Sequence, residues 1–171
     1  MKKYIFAAFM GLFSLGFTAC DVETDEDAGG TEVMKMAGFW DVTVDVIDEN
    51  GDVLYEDPYG MGTISIMTYN TAANNATEMW LDDQDNFWAF KMRVDVNYGA
   101  RTFSCAEKDY DAKGSGTAVV TDGKILEGAA KNLHGMPNDS IVFNIKFSDD
   151  DYGFTYRVSG QRYWGTSPAD E

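Results

Sequence analysis

One histidine, two cysteines and three prolines are all that this chain of 171 residues supplies of those three types. With His134 the sole imidazole, a zinc centre built from histidine and cysteine has too few ligands. A serine or cysteine hydrolase would have His134 alone to activate its nucleophile. No Gly-x-Ser-x-Gly nucleophile elbow is present, and Ser115 lies in the shorter Gly114-Ser115-Gly116. Positive charge is scarce too: 13 Lys+Arg stand against 29 Asp+Glu, for a net charge of −16. Such a surface repels phosphate, which speaks against nucleic acid and anionic lipid headgroups as partners. The longest apolar run, Tyr4–Phe17, falls short of the roughly 20 residues that a membrane-spanning helix needs.

What that run does have is the form of a leader. Lys2 and Lys3 precede it, and Phe17-Thr18-Ala19-Cys20 closes it. Small residues just before a cysteine resemble the lipobox of bacterial lipoproteins. Residues 1–19 therefore read as a signal peptide, with Cys20 the lipidated first residue that joins the protein to a membrane through acyl chains. Asp21, Glu23, Asp25, Glu26, Asp27 and Glu32 follow, before the first basic residue, Lys35. Residues 20–36 read as an acidic, flexible tether. An acidic run at this place resembles the surface-export signal of some outer-membrane lipoproteins, so the expected location is the outer membrane, facing outward. Cys105 is then left without a partner in the chain and reads as a small strand residue.

From Ala37 to the end at 171 the pattern is β. Trp40-Asp-Val-Thr-Val-Asp-Val46 alternates with period two, and Asn50-Gly51 is a two-residue hairpin signal. A short return strand at Leu54 and Tyr55 follows, then strands at Gly62–Asn70, Thr77–Leu81, Phe87–Val96, Ser115–Val120, Lys124–Ala130, Ser140–Phe147 and Phe154–Trp164. Thr121-Asp122-Gly123 reads as a hairpin turn, and Asn70–Ala76 as the one candidate helical turn. Pro58, Pro137 and Pro168 fall in expected loops. No βαβ alternation occurs, which excludes a parallel sheet. The expected fold is all-β: a single antiparallel up-and-down barrel of about eight strands.

Two resemblances refine this. Gly38-Phe39-Trp40 near the start and Arg162 near the end are similar to the calycin pattern of lipocalins, which implies that Arg162 stacks over Trp40 and closes the barrel floor. Period two puts Arg162 on the face of Tyr156 and Val158. A narrower likeness rests on Ala37-Gly-Phe-Trp-Asp-Val-Thr-Val44, Thr68-Tyr-Asn-Thr-Ala72, Asp85-Asn-Phe-Trp-Ala-Phe-Lys91, Asp139-Ser-Ile-Val-Phe143, Phe147-Ser-Asp-Asp150 and Gly160-Gln-Arg162. These segments resemble the "lipid-binding putative hydrolase" family of envelope lipoproteins. The resemblance implies a calycin-like barrel and a lipid ligand, and it brings no catalytic residues with it.

The residues themselves point to binding more than to chemistry. Aromatics make up 14% of the chain. Trp88, Phe90 and Met92 would share one face of a strand, Ile64 and Ile66 a second, and Met79 and Leu81 a third. Turned inward, these side chains either fill the core or line a cavity for a hydrophobic small molecule or lipid. The oxygen-bearing side chains of Asp82, Asp83, Asp85 and Asn86, and of Asp149, Asp150 and Asp151, sit in hairpin turns and lack the spacing of a calcium loop. No metal, cofactor or catalytic set is assigned. Asp139-Ser140-Ile141 resembles an O-glycosylation sequon of exported bacterial proteins, with Ser140 the acceptor. The leading expectation is a lipid-anchored binding barrel. The alternatives are a hydrolase of lipid-like esters working through His134, and a non-catalytic accessory subunit of a surface complex.

Overall fold

Alternation places the first strand. Trp40, Val42, Val44 and Val46 are buried, while Asp41, Thr43 and Asp45 lie on the opposite face, as a period-two strand over a core demands. The protein is described here from a computed structural model over residues 30–132, 134–163 and 165. The leader, Cys20 and the acidic stretch up to Gly29 lie outside the described residues.

Nine strands occur among the described residues. They are β1 (Gly38–Ile47), β2 (Val53–Glu56), β3 (Ile64–Asn70), β4 (Glu78–Asp82), β5 (Lys91–Asn97), β6 (Thr102–Asp109), β7 (Thr117–Lys131), β8 (Pro137–Phe147) and β9 (Thr155–Arg162). Each pairs antiparallel with its neighbours, and β9 returns to pair with β1. Both β2 and β3 use the same edge of β1: β3 takes Gly38 to Val42, and β2 takes Asp45 to Ile47. The closed barrel therefore has eight strands, β1 and β3 to β9, with β2 as a flap on one rim. The fold is all-β and up-and-down.

The seam runs from Trp40 opposite Arg162 to Ile47 opposite Thr155. At Gly160, opposite Val42, a Cβ would run into the backbone of Asp41 and Val42. Glycine is what allows the two strands to approach closely enough to close the ring.

Several expectations are corrected. Thr121-Asp122-Gly123 is not a hairpin turn. β7 continues through it as one strand with a bulge, where the register with β8 slips between Thr121 and Lys124 and Asp122 takes a φ of 56°. Residues Phe87 to Phe90 are not strand, because β5 begins at Lys91. Pro137 opens β8, a place in a strand where its missing N–H costs little. β6 occupies a segment in which the sequence marked no strand. Asn70–Ala76 holds a hydrogen-bonded turn, Asn74 N–H to Thr71 O at 3.0 Å, rather than helix. Val33 and Met36, read from sequence as tether, are fully buried, and the chain from Thr31 to Ala37 forms a turn packed on the core.

The barrel has two unlike ends. The start of β1, the end of β9 and the β3–β4, β5–β6 and β7–β8 turns make one end, here called the floor. The β4–β5, β6–β7 and β8–β9 turns and the β2 flap make the other, the mouth.

Candidate functional site

The floor is sealed by Arg162. Its guanidinium lies 4.4 Å from the centre of the Trp40 ring. The same group donates to the carbonyls of Ala37 and Lys35 and pairs with Asp139 at 3.3 Å. Gly38 leaves the space for it, since a Cβ at that position would strike Arg162 Nη1. The Trp40 indole N–H donates to Thr68 Oγ1 at 2.8 Å, and the Thr68 hydroxyl donates to Met36 O at 2.6 Å. Stacking and hydrogen bonds together clamp the N-terminal turn over this end.

The interior between the ends is occupied by the protein's own side chains. Ile66, Met79, Leu81, Phe90 and Met92 are fully buried, and Ile64 and Trp88 pack half-buried against them. Five of the seven candidate lining residues thus come together in the core. Trp88 does not project from a strand. It arrives on the β4–β5 loop, at the mouth.

That loop is tightly tied. Asp83 N–H bonds Phe90 O at 3.1 Å, and the buried Asp83 carboxylate accepts the amides of Asp85 and Phe87 at 3.1 Å and of Trp88 at 2.7 Å. Burial pushes the Asp83 carboxyl above its usual range, against the opposing pull of those amides. Gln84, Asp85 and Ala89 adopt left-handed backbone, with φ of 53°, 62° and 55°. The result projects Phe87 and Trp88 across the mouth as a wedge. Trp88 stacks on Phe147 at 4.7 Å with 7° between planes, and Phe87 meets Tyr156 edge-on at 5.1 Å.

A polar rim surrounds the wedge. The Tyr59 and Tyr156 hydroxyls are 2.7 Å apart, and Tyr156 donates to Asp150 Oδ2 at 3.0 Å. Tyr110 donates to Asp149 Oδ2 at 2.8 Å, and the Trp88 indole N–H reaches Asp149 Oδ1 at 3.3 Å. Burial, with help from Asp149, pushes the Tyr110 hydroxyl up to about 12. Burial raises Tyr156 as well, followed by Tyr59 and Asp150. Both phenols therefore remain donors at neutral pH. Tyr59, Tyr110, Phe147, Tyr156, Asp149 and Asp150 were not singled out together from sequence. Phe147 and Tyr156 do continue the inward alternation of Phe143-x-Ile145 and of Val158, a signal that placed them in the core and not at the mouth.

The family whose sequence pattern matches residues 25–167 is described as "Lipid-binding putative hydrolase". That span contains the whole barrel, from Gly38 to Arg162. The chain belongs to this family. A search of the curated proteins returns no match.

Membership of a lipid-binding family and a closed β-barrel fit a barrel that binds lipid-like molecules. The other half of the description has less to rest on. His134 is exposed in the β7–β8 turn at the floor end, where its amide is held by Asn132. Ser115 precedes β7 at the mouth end and donates its hydroxyl to Asp111 at 2.6 Å. The 15 residues of β7 separate the two. At about 3.3 Å per residue that is on the order of 40 Å or more along the strand, far beyond hydrogen-bond reach. Ser140 sits in β8 between β7 and β9 with its hydroxyl donated to Gly160 O at 2.7 Å, so it is engaged in the barrel wall. Cys105 is buried in β6, and burial pushes its thiol up, away from nucleophile chemistry.

Proposed function

We propose that this chain is a lipid-anchored protein of the cell envelope whose barrel holds a lipid-like, hydrophobic small molecule without transforming it. The observation that carries the reading is the aromatic mouth. Phe87, Trp88, Phe147 and Tyr156 gather at the end of the barrel opposite the Arg162 seal. Membership of a lipid-binding family supports it. The anchoring part rests on the sequence around Cys20, and an outer-membrane, outward-facing place rests on the acids that follow.

Purification from the native envelope followed by native mass spectrometry and lipid extraction tests the reading. A hydrophobic molecule at near-stoichiometric yield is expected. No recovered molecule, together with no binding of a neutral solvatochromic dye such as Nile red, would overturn the binding function. Turnover of an ester panel by the wild type, lost in His134→Ala, would overturn the statement that the molecule is not transformed.

A further inference from the structure

The interior poses a problem for any ligand. Met79, Leu81, Phe90 and Met92 leave at most 1% of their surface exposed, so a bound molecule must take the place of something already there. The strands are fixed by their ladders. The β4–β5 loop is not part of a ladder, and it carries three side-chain-bearing residues in left-handed backbone. Its wedge is held by a stack of Trp88 on Phe147, edge and tilted contacts to Phe147, Tyr156 and Tyr59, the indole bond to Asp149 and the amide bonds to Asp83. Held by a loop and not by a strand ladder, it can move without breaking the strand pairing of the barrel.

The wedge also has the chemistry of a guest. Trp88 is a flat apolar body with a single hydrogen-bond donor. Its body lies on Phe147, and its donor meets Asp149 Oδ1, while Tyr110 holds the other oxygen of that carboxylate. When the indole leaves, an apolar slot opens against Phe147 and Tyr156, and Asp149 Oδ1 loses the donor that the indole supplied. A hydroxyl, amine or amide head on an apolar chain would restore both contacts. A carboxylate or phosphate head would meet Asp149 and Asp150 as like charges.

We propose that the Phe87–Trp88 wedge occupies the ligand's own place, and that the ligand enters at the mouth by displacing it. The favoured ligand has an apolar chain and a donor-bearing, uncharged or cationic head. This rests on the lipid-binding function proposed above and specifies the ligand class and the residues that compete with it.

The test uses the folded barrel with Nile red as reporter and three competitors of equal chain length below micellar concentration: dodecanol, dodecylamine and dodecanoate. Dodecanol and dodecylamine should displace the dye at concentrations about tenfold lower than dodecanoate, and Asp149→Asn should narrow the gap to about threefold. Trp88→Ala should bind the dye about tenfold tighter, because the competing wedge no longer reduces the binding-competent fraction. Ligand binding should change the intrinsic fluorescence of the wild type but not that of the conservative Trp88→Phe. Equal or better displacement by dodecanoate overturns the head-group selection. Unchanged or weaker binding in Trp88→Ala, or the same fluorescence change in Trp88→Phe as in wild type, overturns the wedge. If neither wild type nor Trp88→Ala binds the dye or any competitor, the lipid-binding function itself fails, and with it this inference.

Discussion

Arg162 ties the N-terminal turn, β1 and β8 together at the floor. Its guanidinium covers Trp40, bonds two carbonyls of the N-terminal turn and pairs with Asp139. A stack with a partly desolvated cation contributes about 1–2 kcal/mol, and each bond from a charged donor about 1.5–3 kcal/mol less the cost of desolvation. Arg162→Ala should therefore lower stability by about 2–4 kcal/mol, read from the midpoint of urea unfolding. Arg162→Lys should recover less than half of that loss, because an ammonium cannot present a planar fork to two carbonyls while lying flat on an indole. Full rescue by lysine would show that charge alone seals the floor. The Gly38-x-Trp40 and Arg162 positions were legible through their resemblance to the calycin pattern, and the structure gives the pattern its reason, since Gly38 leaves room for the guanidinium that stacks on Trp40. The mouth was not. Tyr59, Tyr110 and Tyr156 come from three separate segments, and nothing local marks a tyrosine whose hydroxyl meets a distant carboxylate.

Among the elements, strands with several alternations were readable and the others were not. β1 alternates from Trp40 to Val46, and β8 does so from Ile141 to Phe147. β6 offers only Phe103 and Cys105 to the core before it runs out in exposed, mostly charged residues, so its period was too short to register. In β7 the Asp122-Gly123 pair has the composition of a hairpin turn, yet it forms a bulge. A Cβ at Gly123 would strike the Phe103 carbonyl and ring, so glycine serves there as a close-contact residue. The β4–β5 segment misled for the opposite reason. Phe87-Trp-Ala-Phe90 has strand composition, but the Asp83 carboxylate captures its amides before a ladder can. Asp83→Ala would leave the amides of Asp85, Phe87 and Trp88 without that acceptor. Hydrogen exchange at those three amides should quicken by one to two orders of magnitude, for a local loss of about 1–3 kcal/mol, while β1 and β8 amides keep their protection. Equal acceleration throughout the barrel would mean that Asp83 supports the whole fold and not the wedge.

At the scale of the whole molecule, the described chain begins at the floor. The turn from Thr31 to Ala37 buries Val33 and Met36 and is held by Arg162 and Thr68, all at the end away from the aromatic mouth. A lipid on Cys20 would thus be joined to the sealed end through residues 21–30, which extended could reach roughly 35 Å at most. Net charge bears on the same point. At −16 the chain has little attraction for anionic headgroups, so membrane association should depend on the proposed acyl chains. Cys20→Ser removes the proposed acceptor and changes no residue of the barrel strands. In the native host it should move the protein from the membrane pellet to the soluble fraction and abolish incorporation of labelled palmitate. The thermal midpoint of the isolated barrel should be unchanged. Retention of the variant in the pellet after a high-salt wash would overturn the anchor and shift attention to the exposed apolar side chains of β2, Val53, Leu54 and Tyr55, as a second means of holding a membrane.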